Sequence, residues 1–147
     1  MKRQELFDGS LSLELPAAFE NAAARRPMPD NQEMFADYDA GSSVVVDILE
    51  MIDETSLCDA LQEHADEVML QADGCTFALT KQTIDVAVGP NDAVRSVAYG
   101  TAGPFAMALF RLPECTADIL ITIHNYSGDG LQVVQSFRIS SYSLFKV

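Results

Sequence analysis

Two histidines, three cysteines and twenty-two carboxylates are the groups through which this chain could do chemistry. The spacings of Cys58, Cys75 and Cys115 match neither a C-x-x-C pair nor a zinc ligand set, so free thiols in a reducing compartment are expected. His64 falls in a helical pattern and His124 in an apolar run. Neither has a second Cys or His at ligand distance, so no metal is expected, and His64 reads as a packed or hydrogen-bonded core residue. Asp30, Asp118 and His124 are the trio that a small α+β fold could gather into an acid/base site, though nothing in their spacing requires it. Neither G-x-x-x-x-G-K-S/T nor G-x-G-x-x-G nor G-x-S-x-G occurs. The chain therefore offers no phosphate-binding loop, nucleophile elbow or cofactor site of its own, and no covalent chemistry is expected.

The carboxylates themselves carry more information. Residues 1–26 hold four basic and four acidic side chains and residues 81–147 hold five of each. The net charge of −13 thus comes entirely from residues 27–80, with thirteen acidic and no basic side chains. Nucleic-acid binders need clustered Lys and Arg to displace counterions from phosphates, and this segment would be repelled. Two readings stay open: a solubility device, or a docking face for a basic partner, whose association would then depend on salt.

The elements that must position these groups read as follows. Apolar residues make up 48% of the sequence, enough for a real core, and no apolar run approaches the roughly 20 residues of a membrane-spanning helix or forms a signal-peptide core. Residues 10–15 alternate and end at Pro16, a half-buried strand. A short alanine-rich helical turn is expected over 18–26, a strand over 32–38, and a central strand covered on both faces over 42–52. Thr55 is the expected N-cap of a helix running to about Gln71, with Leu57, Leu61, Ala65 and Val68 as its buried stripe and Gly74 as its stop. Asp59, Glu63 and Glu67 form a like-charge ladder on the opposite face. Strands are expected over 75–88, 92–99, 105–112 and 117–125, the first two joined by a Gly89-Pro90-Asn91-Asp92 turn. A short helix follows over 131–137, and the last ten residues are read as extended. A helix between groups of hairpin-connected strands, without alternating βαβ units, makes an α+β fold with one antiparallel sheet and helices packed on it, cystatin-like and cone-shaped forms being the alternatives; residues 1–147 read as one domain.

The segment PMPDNQEMF, residues 27–35, resembles the Ran guanine-nucleotide release factors, or Mog-type proteins, in which P-D-N/T-Q-E-V-F/Y is a hallmark. The likeness extends to Leu6-Phe7, Gly9, Phe19, Arg26, the VVVDILE strand at 44–50, the helix carrying His64, ALFRL at 108–112, Thr116 to Ile121 and Ser143-Leu144-Phe145. It implies a single antiparallel sheet of about six strands flanked by helices. It also implies binding to the small GTPase Ran with release of its nucleotide, a role in nuclear import, and a place in nucleus and cytoplasm, with a monomer expected. By position the resemblance assigns partner contact to Asp30 and Glu33, with Gln32 between them and Arg26 in support. An earlier acidic position of the family is Asn21 here, with Glu20 beside it as the compensating charge. The chain is shorter than typical relatives, through trimmed loops. An adaptor or chaperone that holds Ran or another client without displacing nucleotide is the alternative.

Overall fold

A computed structural model describes residues 1–74, 77–91 and 93–145. Its main sheet is antiparallel throughout, with seven strands: β3 (Glu20–Asn21), β4 (Gln32–Asp37), β5 (Ser42–Glu50), β6 (Thr80–Ala87), β7 (Val94–Ala102), β8 (Phe105–Leu112) and β9 (Ala117–His124). Their spatial order is β3-β4-β5-β9-β8-β7-β6. A smaller sheet pairs β2 (Leu11–Leu15) with β1 (Lys2–Leu6) on one side and β10 (Arg138–Ile139) on the other. Two α-helices, α1 (Leu57–Asp73) and α2 (Gly130–Gln135), complete the α+β fold.

Hydrophobic alternation decides which layer lies where. Val44 and Val46 of β5, Phe35 of β4 and Ile119, Ile121 and Ile123 of β9 share one face of the main sheet, all buried. They pack on Leu11, Leu13 and Leu15 of the small sheet and on Val133, Val134 and Phe137 at α2. Phe110 and Phe137 meet at 4.5 Å between ring centroids within this core. The opposite face carries α1, whose Ala60, Leu61 and Ala65 sit on Ala98, Met107, Leu109 and Leu120. Gly100 lets the helix come close, because a Cβ there would lie 3.1 Å from Leu79 Cβ and 3.3 Å from Leu61 Cδ2.

Several local expectations shift by a residue or an element. The helix N-cap is Ser56, whose hydroxyl accepts from Asp59 N–H, rather than Thr55. Gly74 closes the helix in the left-handed conformation (φ 72°), as only glycine does at little cost. The acidic ladder Asp59, Glu63, Glu67 is exposed, while Leu57 and Val68 of the expected stripe are half-buried and His64 is buried. The alanine-rich turn is one 3-10 turn, Ala22–Ala24, after the two-residue strand β3. At the C-terminal end, β10 is extended as expected, while a 3-10 turn forms at Ser143–Phe145, and residues 146–147 lie outside the described residues. So do Cys75, Thr76 and Asp92; β6 begins at Thr80 and β7 at Val94. Strand β1 escapes the sequence reading because four of its five residues are charged or amide and only Leu6 is buried.

One difference has functional weight. Strand β5 is interior to the sheet but covered fully on one face only. Val45 and Leu49 are half-buried, because α1 packs mainly over β6, β7 and β8, meets β9 at Leu120 and reaches β5 at Leu49.

Helix and sheet are tied by a buried ionic cluster. Asp118 on β9 has no solvent exposure. It accepts from His64 Nε2 (2.8 Å), Arg111 Nε (2.9 Å) and Arg111 Nη2 (3.0 Å). Arg111 also donates to the carbonyls of Glu54 and Ile52, fixing the β5–α1 connection. Burial pushes the Asp118 carboxyl up, but the bonds from His64 and Arg111, the Arg111 charge and the Ile52 N–H together hold it below the usual carboxylate value. Removing one member of such a cluster strands the others. Asp118→Asn is therefore expected to cost about 3 kcal/mol at neutral pH, read as a lowered urea midpoint. Because the native carboxyl titrates low, its contribution is present above the unfolded value and lost as pH falls through the folded one. The gap between wild type and variant should close only in strong acid.

Candidate partner-binding face

The start of β4 and the loop before it form one wall of an open groove. Gln32 N–H donates to Pro29 O (3.1 Å), closing a β-turn that presents Asp30 and Asn31 at its tip. The turn is closed by backbone alone. Asp30 is exposed, and among the described residues its carboxylate has no hydrogen-bond or ion-pair partner. Asn31 is anchored instead, through Nδ2 to Ile48 O (3.1 Å) and through its carbonyl to Ile48 N–H (2.8 Å).

The opposite wall is the β1–β2 turn. Phe7 and Asp8 both have positive φ, 51° and 59°, and Gly9 N–H donates to Leu6 O (3.1 Å). Two left-handed central residues make a type I′ geometry, which ordinarily takes Asn-Gly. In L-residues with a Cβ this conformation costs about 1–2 kcal/mol each. Glu33 supplies part of the compensation: its carboxylate accepts the Phe7 N–H across the groove. The sequence offers Glu33 no local partner; the partner lies twenty-six positions away, on an element only the fold brings near. Burial raises the Glu33 carboxyl above its ordinary value, the Phe7 bond opposes this, and the Asp8 charge adds to the rise.

Asn21, Asp30, Gln32 and Glu33 do come together around this groove, with Glu5 and Asp8 as acidic neighbours. Asn21 Oδ1 caps the 3-10 turn by accepting Ala23 N–H (2.9 Å). Glu20 is held apart. It pairs with Ala36 where Asn21 pairs with Phe35, so strand alternation sends it to the other face, where Arg25 Nε binds it at 3.0 Å. Arg25 stacks over Tyr38 and Arg26 Nη2 reaches Met34 Sδ. Gln32 turns its amide to Asp47, Nε2 to Oδ1 at 2.7 Å. Glu5 and Asp8 went unassigned from sequence; the signal available was the Asp8-Gly9 turn beside Leu6-Phe7.

The trio Asp30, Asp118 and His124 does not converge. Six residues along β9 separate Asp118 from His124, about 20 Å at strand rise. Asp118 is engaged by His64 and Arg111, and His124 stacks on Phe105 at 4.6 Å between centroids.

Charge is distributed in the fold as in the sequence. The ion pairs among the described residues join Arg3 to Glu14, Arg25 to Glu20, Arg95 to Glu114, and His64 and Arg111 to Asp118. None uses a carboxylate between Asp30 and Glu67, so the acidic segment remains unneutralised.

The model of the family described as Ran-interacting Mog1 protein matches residues 4–126. The chain belongs to the Mog1 family. It is similar to the nuclear import protein MOG1 of Saccharomyces cerevisiae, 27% identical over 84% of this chain, and spans 65% of that protein's length. The probable ran guanine nucleotide release factor of Dictyostelium discoideum is 25% identical over 98% of this chain and 96% of its own. The Ran guanine nucleotide release factor of Danio rerio is 28% identical over 82% of this chain and 75% of its own. The crystal structure of the S. cerevisiae Ran-binding protein Mog1p shares the fold, with a TM-score of 0.71 at 21% identity over 99% of this chain and 98% of that one. In this Mog1-family chain the latch between Glu33 and the strained turn gives a direct test. Glu33→Ala is expected to cost about 1–3 kcal/mol and to speed hydrogen exchange at the Phe7 amide well beyond that at Leu13, in the middle of β2. Unchanged protection at Phe7 would show that the turn holds itself.

Proposed function

We propose that this chain binds Ran through the acidic groove edge and loosens Ran's hold on guanine nucleotide, in support of nuclear protein import. The observation that carries this reading is the run of carboxylates from Asp30 to Glu67, none of which has an ion pair among the described residues, in a chain whose relatives are named for Ran and for nuclear import. Asp30 is the foremost contact, being exposed and free. Asp8 and Glu5 complete the surface, with Asn21 offering an amide where the family resemblance implies a further acid. Glu33 contributes by setting the turn that presents Asp8. The chain works as one Ran-binding unit in nucleus and cytoplasm, with no covalent step.

Release follows from differential binding. A factor that binds open or nucleotide-free Ran more tightly than closed Ran must, by linkage, weaken nucleotide to the same extent that nucleotide weakens the factor. Carboxylates serve this purpose if they pair with the Lys and Arg that would otherwise hold phosphates. Exposed carboxylates separated by several ångströms act mainly on association rate, and salt screens them over about 8–10 Å.

The test is release of a fluorescent guanine nucleotide from Ran, in its GDP and GTP forms, with wild-type chain and with an Asp8→Ala, Asp30→Ala double variant. The wild type is expected to accelerate release and the double variant to lose about tenfold or more of that effect, as expected for removing close interfacial charges, with the loss shrinking at high salt. Binding that leaves the nucleotide off-rate unchanged would establish the adaptor reading instead.

A further inference from the structure

The face of the main sheet that carries α1 is only half covered. Small sheet and α2 close the other face, but α1 lies over β6, β7 and β8. The less covered part spans about two strands, β4 and β5, at roughly 4.8 Å each, close to the 10–12 Å diameter of one helix with its side chains, while β9 is covered through Leu120. Layered folds bury such a face under a second helix set beside the first. Among the described residues this chain supplies none.

The lining of that space specifies what would fit. Its floor and inner wall hold Leu49, Ile52 and Val68, all half-buried. Val45 and Met34 extend the strip across neighbouring strands. The rim holds Asp47, Glu50 and Glu67, and no Lys or Arg lines the groove. Two observations besides the acidic rim point to an absent occupant. His64, 4% exposed, lines the groove and spends Nε2–H on Asp118, while its other ring nitrogen has no partner among the described residues. In the neutral ring that nitrogen is an acceptor. Asp47, 7% exposed, has one hydrogen bond, from Gln32, and burial raises its carboxyl above the ordinary value. A lining of carboxylates over an apolar floor, whose Asn31 and Gln32 amides are already spent on Ile48 O and Asp47, suits a cationic donor on an apolar scaffold.

We infer that the groove between α1 and strands β4 and β5 is a docking site for a basic amphipathic helix of a partner protein, its apolar stripe on Leu49, Ile52 and Val68 and its Lys or Arg side chains against Asp47, Glu50 and Glu67. Such a helix would anchor through residues three and four apart. Arg25 and Arg26, folded over Tyr38 and Met34, mark the far end of the face and bias the ligand's cations toward the Asp47–Glu67 end. The two readings draw on different groups: Gln32 borders both grooves and Asn31 lines this one, but Asp30 lines the other alone.

The experiment titrates the isotope-labelled full chain with three synthetic peptides as long as α1. The first is a Leu/Lys helix with leucines at three- and four-residue spacing. The second has the same composition scrambled to break that spacing, and the third replaces Lys by Glu. Amide signals of Leu49, Ile52 and Val68 are expected to shift with the first peptide alone. The exposed-site variant Glu67→Lys should weaken that binding about tenfold or more, while Asp30→Ala leaves it unchanged. Equal binding of the scrambled peptide, equal loss with Asp30→Ala, or no binding at low salt would overturn the proposal. Concentration-dependent shifts of these amides without peptide would overturn it too, by making a second copy the occupant. No arm uses Ran, so failure here is separate from failure of the Ran reading.

Discussion

A carboxylate with no exposure to water, Asp118, is the interaction on which the rest of the arrangement depends. An isolated charge there would be untenable. It is held by a guanidinium from the neighbouring strand and an imidazole from the helix, and the same guanidinium takes up two carbonyls of the connection between β5 and α1. Residues 27–80 contain no Lys or Arg of their own, and Arg111 supplies from outside the cation that ties the β5–α1 connection to β9. That contact, together with the packing of Ala60, Leu61 and Ala65 on the sheet, sets the position of the helix and of the groove beside it.

The excess charge is tolerated because of where it is put. Asp59, Glu63 and Glu67 occupy the outer face of α1, and Asp30 the tip of a turn, where water screens them. Yet the four arginines that form ion pairs among the described residues do so elsewhere, with Glu14, Glu20, Glu114 and Asp118. A fold selected for stability alone would spread its cations among its acids. Leaving one long segment unpaired and stationing two left-handed residues and a desolvated Glu33 at its edge is the pattern of a surface kept ready for a partner.

Much of this was legible beforehand, for physical reasons that differ by element. Strands β8 and β9 and the stop at Gly74 follow from uninterrupted apolar runs and from glycine's access to positive φ. The acidic segment, Asp30 and Glu33 stand out from charge placement and family resemblance. Strand β1 is hidden because a charged edge strand lacks apolar periodicity, and the N-cap falls on Ser56 rather than Thr55 because adjacent hydroxyls differ only in which one reaches a backbone N–H. Contacts between distant residues were beyond reach: Glu33 with Phe7, Asp118 with both His64 and Arg111, and Glu20 turned from Asn21 by strand alternation. The half-covered face could not be read either, since β-branched runs look alike whether one or both sides are packed.

The most direct measurement is the footprint of Ran on this chain, mapped by backbone amide signals of the labelled protein as Ran is added. If the acidic groove edge is the contact, the largest changes will fall at Asp8, Asp30, Asn31 and Gln32, with the β6–β7 hairpin unmoved. Changes centred on that hairpin or on α2, with Asp8 and Asp30 silent, would contradict it.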